Sequence, residues 1–192
     1  MTDETLVKEA AGGNEAAFLL LYERHRRAVY QVAYRLTGSR EAAEDVTHDC
    51  FMSLIRRTDR FDPTRAPLRI YLLAISRNLA VSQHRWSSAR VELTAIDEHD
   101  PPTTDADPHT RLIARERAAR VRQAIGALPV LQREVVVLVE YEELTLAEAS
   151  AVVGANVGAV SSRLFRARAA LRRMLSATLA IEPPISTGTH DE

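Results

Sequence analysis

Two helix signals near the end of the chain are joined so tightly that they must form one unit. The first, Thr145–Val153, is stopped by Gly154, and the second starts at Val157 and runs to Leu175, leaving Ala155 and Asn156 for the turn. Thr145 with Glu148 three residues later forms a capping box, which pins the start of the first helix. The second helix carries Arg163, Arg166, Arg168, Arg172 and Arg173 and no acidic residue. At a period of 3.6 residues, Val160, Leu164, Ala167 and Leu171 share one side and suit packing, while the arginines spread over the rest. A short helix, a tight turn and a basic helix predict a helix-turn-helix that enters a DNA groove. The first residues of such a helix reach base edges and later arginines hold phosphates. Groove contact is therefore expected from Asn156, Ala159, Ser161, Ser162 and Arg163. Arg166, Arg168 and Arg173 are expected on the DNA backbone or in salt bridges back to the domain. The alternative is a solvated basic face with no ligand.

The rest of the chain reads as helical too. A short first helix is expected at Leu6–Ala10, followed by Glu15–Leu36, about Glu41–Arg57 and about Pro67–Gln83. Gly38 and Ser39 break the second from the third, and Asp62-Pro63 marks a turn before the fourth. Periodicity lapses between about Ser87 and Thr110, where Pro101, Pro102 and Pro108 alternate with Asp97, Glu98, Asp100, Asp105 and Asp107. A stretch so polar does not bury itself and reads as a flexible acidic linker. Helices follow at about Thr110–Gly126 and Leu128–Glu140, leading into the helix-turn-helix. The expected fold is all-α: one small helical domain over 1–90, a linker over 91–110, a second helical domain over 111–180 and a frayed tail over 181–192.

Charge and composition narrow the function classes. A net charge of −1 over 192 residues argues against a protein that coats nucleic acid indiscriminately, although the total hides the local excess of positive charge on Val157–Leu175. Lys8 is the single lysine among 25 basic residues, a bias that favours the planar, multi-donor guanidinium. Cys50 is the one cysteine, so an internal disulfide is excluded, and among Val46, Phe51 and Leu54 it reads as a buried apolar side chain. His25, His48 and His84 lack metal-site spacing, and no glycine-rich phosphate loop or base–nucleophile pair stands out. No enzyme activity, cofactor or metal is expected. The absence of a signal segment or long apolar run predicts a cytoplasmic protein.

Two further patches invite partners. Glu44, Asp45, Asp49 and Asp59 cluster on or near one helix, as a docking surface or a solvated face. Arg77, Asn78, Gln83, His84, Arg85, Trp86 and Arg90 mix cations, amides and an aromatic ring, a combination that suits single-stranded DNA. Trp86 equally suits a cap on the hydrophobic core.

These segments together resemble the extracytoplasmic-function (ECF) sigma factors, the minimal promoter-specificity subunits of bacterial RNA polymerase. The likeness spans about residues 12–175. Phe18-Leu19-Leu20-Leu21-Tyr22-Glu23-Arg24-His25 resembles the family's opening helix. Ala43-Glu44-Asp45-Val46-Thr47-His48-Asp49-Cys50-Phe51 resembles its polymerase-binding segment, followed by Arg60-Phe61-Asp62-Pro63. Tyr71 through Ala80 is similar to the helix that approaches promoter DNA. Ala127-Leu128-Pro129, Arg133-Glu134-Val135-Val136 and Gly158 through Arg168 resemble the second domain.

The resemblance implies that Glu44, Asp45, Asp49, Phe51 and Leu54 dock on core polymerase. It implies that Arg57, Arg60, Phe61, Arg77, Asn78, His84, Arg85 and Trp86 hold the melted minus-ten element, with a base extruded near the loop Arg57–Pro67. The second domain would then read the minus-thirty-five duplex, and the acidic linker would thread toward the basic RNA channel. An anti-sigma partner is implied as well. Four departures stand out: Tyr71 for the usual tryptophan, Val81-Ser82-Gln83-His84-Arg85 after Asn78, Ala149-Ser150 for isoleucine-alanine, and Ala159 and Ser161 for threonine and lysine. Loss of a phosphate-contacting lysine lowers affinity and salt dependence, so the second domain is expected to depend on polymerase to hold it on DNA. Two other readings remain open. One is an autonomous helix-turn-helix regulator that binds duplex tightly without polymerase; the other is a protein-interaction module.

Overall fold

The structure is a computed structural model that describes residues 1–86 and 107–179. Helices α1 (Asp3–Ala11), α2 (Glu15–Thr37), α3 (Arg40–Arg56) and α4 (Leu68–Trp86) form the first unit. Thr2, Asn14 and Ser39 cap the first three helices, each side chain accepting from a backbone N–H three residues on. Gly38 closes α2 in the left-handed conformation at φ 71, which a residue with a Cβ adopts only under strain. Between α3 and α4 a 3-10 turn at Thr58–Arg60 leads to Asp62, whose Oδ1 accepts from both the amide and the hydroxyl of Thr64. Those two bonds fix the expected turn and hold the Asp62 carboxyl below its ordinary range.

The first unit closes over Leu6, Leu21, Val29, Cys50, Phe51, Leu54, Leu68 and Leu72. Phe51 sits at its centre, with Tyr22 edge-on at 4.9 Å between ring centroids and Phe18 edge-on at 6.4 Å. Cys50 is buried as expected, and burial pushes its thiol up to about 12.

The second unit comprises α5 (Pro108–Gly126), α6 (Val130–Val136), α7 (Leu146–Val153) and α8 (Val157–Leu179). Pro108 stands in the first turn of α5, so this helix begins two residues before the expected end of the linker. The helix expected at Leu128–Glu140 differs more. It starts at Val130 after Pro129, and beyond Val136 it widens into a π turn, Val137–Tyr141. Glu143 then leaves the turn at φ 55, left-handed for a non-glycine residue. The helices otherwise match the predicted ones to within a turn, and α8 runs on to Leu179. The segment 87–106, most of the expected linker, and the tail from 180 lie outside the described residues.

The two units are packed against each other. One apolar cluster passes from Val32, Leu36, Ile70 and Leu73 of the first unit to Val135, Leu138, Val152 and Val153 of the second. Helix α4 lies against α7, and α2 lies against α6 and the π turn.

Candidate nucleic-acid and polymerase interfaces

The helix-turn-helix is built as its residues demand. Thr145 Oγ1 accepts from the Glu148 amide at 3.2 Å, and Glu148 Oε2 accepts from the Thr145 amide at 2.9 Å. The Thr145 amide and the Thr145 hydroxyl, the latter 2.8 Å from Oε2, both donate to the Glu148 carboxylate and hold it below its ordinary value. Gly154 turns the chain at φ 68, and the Ser150 hydroxyl crosses the turn to donate to the Ala155 carbonyl at 2.7 Å. Asn156 Oδ1 accepts from the Ala159 amide at 2.8 Å and starts α8. Asn156 thus spends its side-chain oxygen on the helix, which orients the residues that follow.

On α8, Val160, Leu164 and Ala167 are buried, and Ser161, Ser162, Phe165 and Arg166 face solvent. Ala159 is half-buried. Arg166 Nε donates to the Ser162 carbonyl of its own helix. Arg168 reaches back to the domain, with Nε 2.8 Å from Glu140 Oε1. Phe165, with 74% of its surface exposed, is the largest apolar group on this face and was not singled out from sequence. A phenylalanine three residues from Ser162 in an otherwise polar row is the signal that could have found it.

Arg163 is only partly available. Its Nη1 donates to Glu134 Oε1 at 3.2 Å, and Glu134 is fully buried. The other carboxylate oxygen accepts from Arg77 Nε of α4 at 2.7 Å. Burial raises the Glu134 pKa above its ordinary range, and the two guanidinium groups oppose that rise. A single carboxylate therefore holds one arginine from each expected DNA-facing surface. Arg77 also donates from Nη1 to Asn78 Oδ1 at 3.0 Å.

A second cross-unit group was equally invisible in the sequence. Arg69 Nη2 donates to Glu142 Oε2 at 2.7 Å and to the Glu142 carbonyl at 3.2 Å. Glu142 is buried, which raises its carboxyl, with Arg69 and Arg35 opposing. Arg35 lies over the Tyr141 ring at 4.3 Å from its centroid. Arg133 Nη1 donates to the Leu36 carbonyl at 3.1 Å, and Nη2 bonds the Leu128 carbonyl at 3.2 Å.

On the first unit, Glu44, Asp45, His48 and Asp49 form an exposed row along α3. Phe51 and Leu54, expected beside them as docking contacts, are 1% and 0% exposed. They point into the core because their spacing from Val46 and Cys50 places them on the apolar side of α3; they hold α3 in place and do not form its exposed surface. Arg57 and Arg60 are exposed near the 3-10 turn, and Phe61 is half-buried against Tyr71 at 5.4 Å. Asn78 is exposed on α4. His84, Arg85 and Trp86 continue that helix, and their side chains lie outside the described residues.

Both units match known families. Residues 21–90 match the Sigma-70 region 2 family model and residues 118–171 match the Sigma-70, region 4 model. The chain is 34% identical to RNA polymerase sigma factor CnrH of Cupriavidus metallidurans, over 91% of this chain and 95% of that one. It is also 31% identical to ECF RNA polymerase sigma factor SigE of Mycolicibacterium smegmatis, over 90% of this chain and 67% of that one. This chain belongs to the ECF sigma factors.

Its fold agrees with that family. A solved structure of CnrH in complex with the cytosolic domain of CnrY superposes with a TM-score of 0.66 at 31% identity, covering 91% of this sigma factor and 97% of that chain. The sigma factor RpoE of Bartonella quintana, solved with the anti-sigma factor NepR, shares the fold at a TM-score of 0.63 and 24% identity. Among the described residues no group of His, Cys, Asp and Glu is arranged to hold a metal ion, and no helix is long and apolar enough to cross a membrane.

Proposed function

We propose that this sigma factor binds core RNA polymerase in the cytoplasm and directs it to a set of promoters. The observation that carries the proposal is the pairing, in one chain, of an exposed acidic helix and a rigidly capped basic helix-turn-helix. The α3 row Glu44, Asp45 and Asp49 supplies the polymerase-docking charge, with Phe51 and Leu54 holding that helix in place. Arg57, Arg60, Phe61, Arg77 and Asn78, continued by His84, Arg85 and Trp86, grip the minus-ten element. Single-stranded bases suit this set because aromatic rings stack on them while arginines neutralise phosphates.

The minus-thirty-five duplex is read by the start of α8. Asn156 and Ala159 set the entry of the helix, Ser161, Ser162 and Arg163 meet base edges, and Arg166 and Arg168 meet phosphates. Each surface alone has few phosphate contacts, so polymerase provides the tethering that makes both effective at once. Binding energy spent on bent and unpaired DNA lowers the cost of melting. The partners are core polymerase, promoter DNA as duplex and single strand, and an anti-sigma protein that covers these surfaces. If that partner is membrane-bound, it holds the sigma factor near the membrane until released.

Co-elution of the full chain with core polymerase is the direct test. Binding is expected, with loss of roughly tenfold or more in affinity when Asp45 and Asp49 are both exchanged for arginine, because like charges then face the docking site. Failure to bind core under conditions where another sigma factor does would overturn the reading. Tight, polymerase-independent duplex binding in a gel shift would favour an autonomous regulator instead.

A further inference from the structure

Helix α5 carries a block of positive charge that none of the surfaces described above uses. Residues 110–126 hold five arginines against one acid, Glu116. The stretch 108–117 lies between the two family matches, after residue 90 and before residue 118. From Thr110 to Arg117 every residue is exposed, and full burial is reached only at Ala124 and Ile125. The first turns of α5 therefore stand clear of the body, on a helix that packs against α8.

Three of these arginines share a face. At 3.6 residues per turn, Arg111, Arg115 and Arg122 fall within about 40° of one another, along about 16 Å of helix. Arg117 falls on the other side. None of these four side chains has a hydrogen-bond or ion-pair partner among the described residues. Elsewhere on the fold exposed arginines pair with carboxylates, as Arg26 does with Glu23, Arg40 with Glu44 and Arg168 with Glu140. Arg111 and Arg115 stand four residues apart, so their like charges weaken the helix that carries them. A face made only for solubility intersperses the two signs instead. This stripe is fitted to an external anion.

Under the function proposed above, on which this inference rests, α8 reads the minus-thirty-five groove, and it is short of free cations. Arg163 is held by Glu134, Arg168 by Glu140, and Arg166 bonds the Ser162 carbonyl. Ser161 stands in place of the family's usual lysine. We propose that the Arg111–Arg115–Arg122 stripe of α5 is a second phosphate-binding surface of this unit, which holds the backbone of the promoter duplex beside the minus-thirty-five element. Residues 108–126 contain no Phe, Tyr or Trp, so no such ring on this helix stacks on unpaired bases, which favours duplex over single strand. Along one strand nucleotides rise roughly 3.4 Å each, so the stripe spans about five of them. Contact with phosphates adds affinity without sequence preference. A protein partner would instead use Leu112 and Ile113, which are exposed on the same turns but lie off the stripe.

The salt dependence of promoter binding by the full chain with core polymerase tests this. For the wild type, the logarithm of the binding constant falls linearly with the logarithm of KCl concentration. The triple variant Arg111→Gln, Arg115→Gln, Arg122→Gln keeps good helix formers at all its positions. It is expected to make that line shallower by about 2 to 3, at roughly 0.9 per lost phosphate contact, with the same promoters preferred. Arg117→Gln, on the other side of the helix, is expected to keep the wild-type slope. Should the triple variant lose helicity, Arg111→Gln with Arg115→Gln, both on exposed turns, gives the same comparison with a change of about 1.8. A wild-type slope in the triple variant, or a changed promoter preference, overturns the proposal. A loss of core affinity at an unchanged slope also overturns it and assigns α5 to polymerase. Failure of every chain to bind core overturns the sigma reading instead, while binding of the free chain to duplex at low salt still decides whether the stripe holds phosphates.

Discussion

Glu134 illustrates how much a single side chain can carry in this fold. A fully buried carboxylate shared by two arginines is costly to remove, because both guanidinium groups lose their anion while keeping most of their desolvation. Glu134→Ala is expected to lower the unfolding free energy by about 3 kcal/mol, read from urea titration. A change within experimental error would show that solvent already satisfies both arginines. His25 gives a prediction in pH. Its Nε2 lies 3.0 Å from Asp3 Oδ2, yet burial lowers its pKa below 6.5, with the Asp3 carboxylate opposing. The folded chain therefore binds fewer protons at His25 than the unfolded chain does. The stability it contributes is present above 6.5 and is lost as pH falls through the lowered folded value. Thermal unfolding is expected at lower temperature at about pH 5.5 than at about pH 7.5, with the difference reduced in His25→Gln. A wild-type melting temperature that rises on acidification would contradict this assignment.

At the scale of elements, the helix-turn-helix was legible because local chemistry specifies it. Thr145, Glu148 and Gly154 act on backbone groups within a few residues, and the structure has each in the expected bond or conformation. Thr145→Ala is expected to cost about 1 kcal/mol of stability by removing that cap, again measurable in urea, with an unchanged midpoint as the opposing result. The π turn at Val137–Tyr141 was not legible. Its apolar run fits an ordinary helix as well as a widened one, and what distinguishes them is a remote environment: Arg35 beside Tyr141 and Arg69 beside Glu142. The same reason explains Phe51 and Leu54. A family likeness places their segment at a docking surface, whereas their helical phase relative to Val46 and Cys50 turns these two inward. Phase was available in the sequence and was outweighed by motif.

For the whole molecule, the sequence conveyed two helical units but not their closure. Residues that join the units, such as Arg69, Arg133, Glu134 and Glu142, are each unremarkable as helix residues. Their pairing spans up to 97 positions along the chain, as between Arg133 and Leu36, and no local pattern records it. What the sequence did convey was the order of surfaces: acidic α3, the Arg57–Pro67 turn, α4 and the basic α8, each of which the fold presents at least in part. Under the proposed function those surfaces act together, on two promoter elements and on polymerase. The most direct measurement is therefore transcription by purified core polymerase, with and without this chain, across a library of genomic promoters. The expected result is initiation at a discrete set of promoters sharing two elements at a constant spacing, abolished when the chain is omitted. Transcription that is the same with and without the chain, on a core preparation active with another sigma factor, would contradict it.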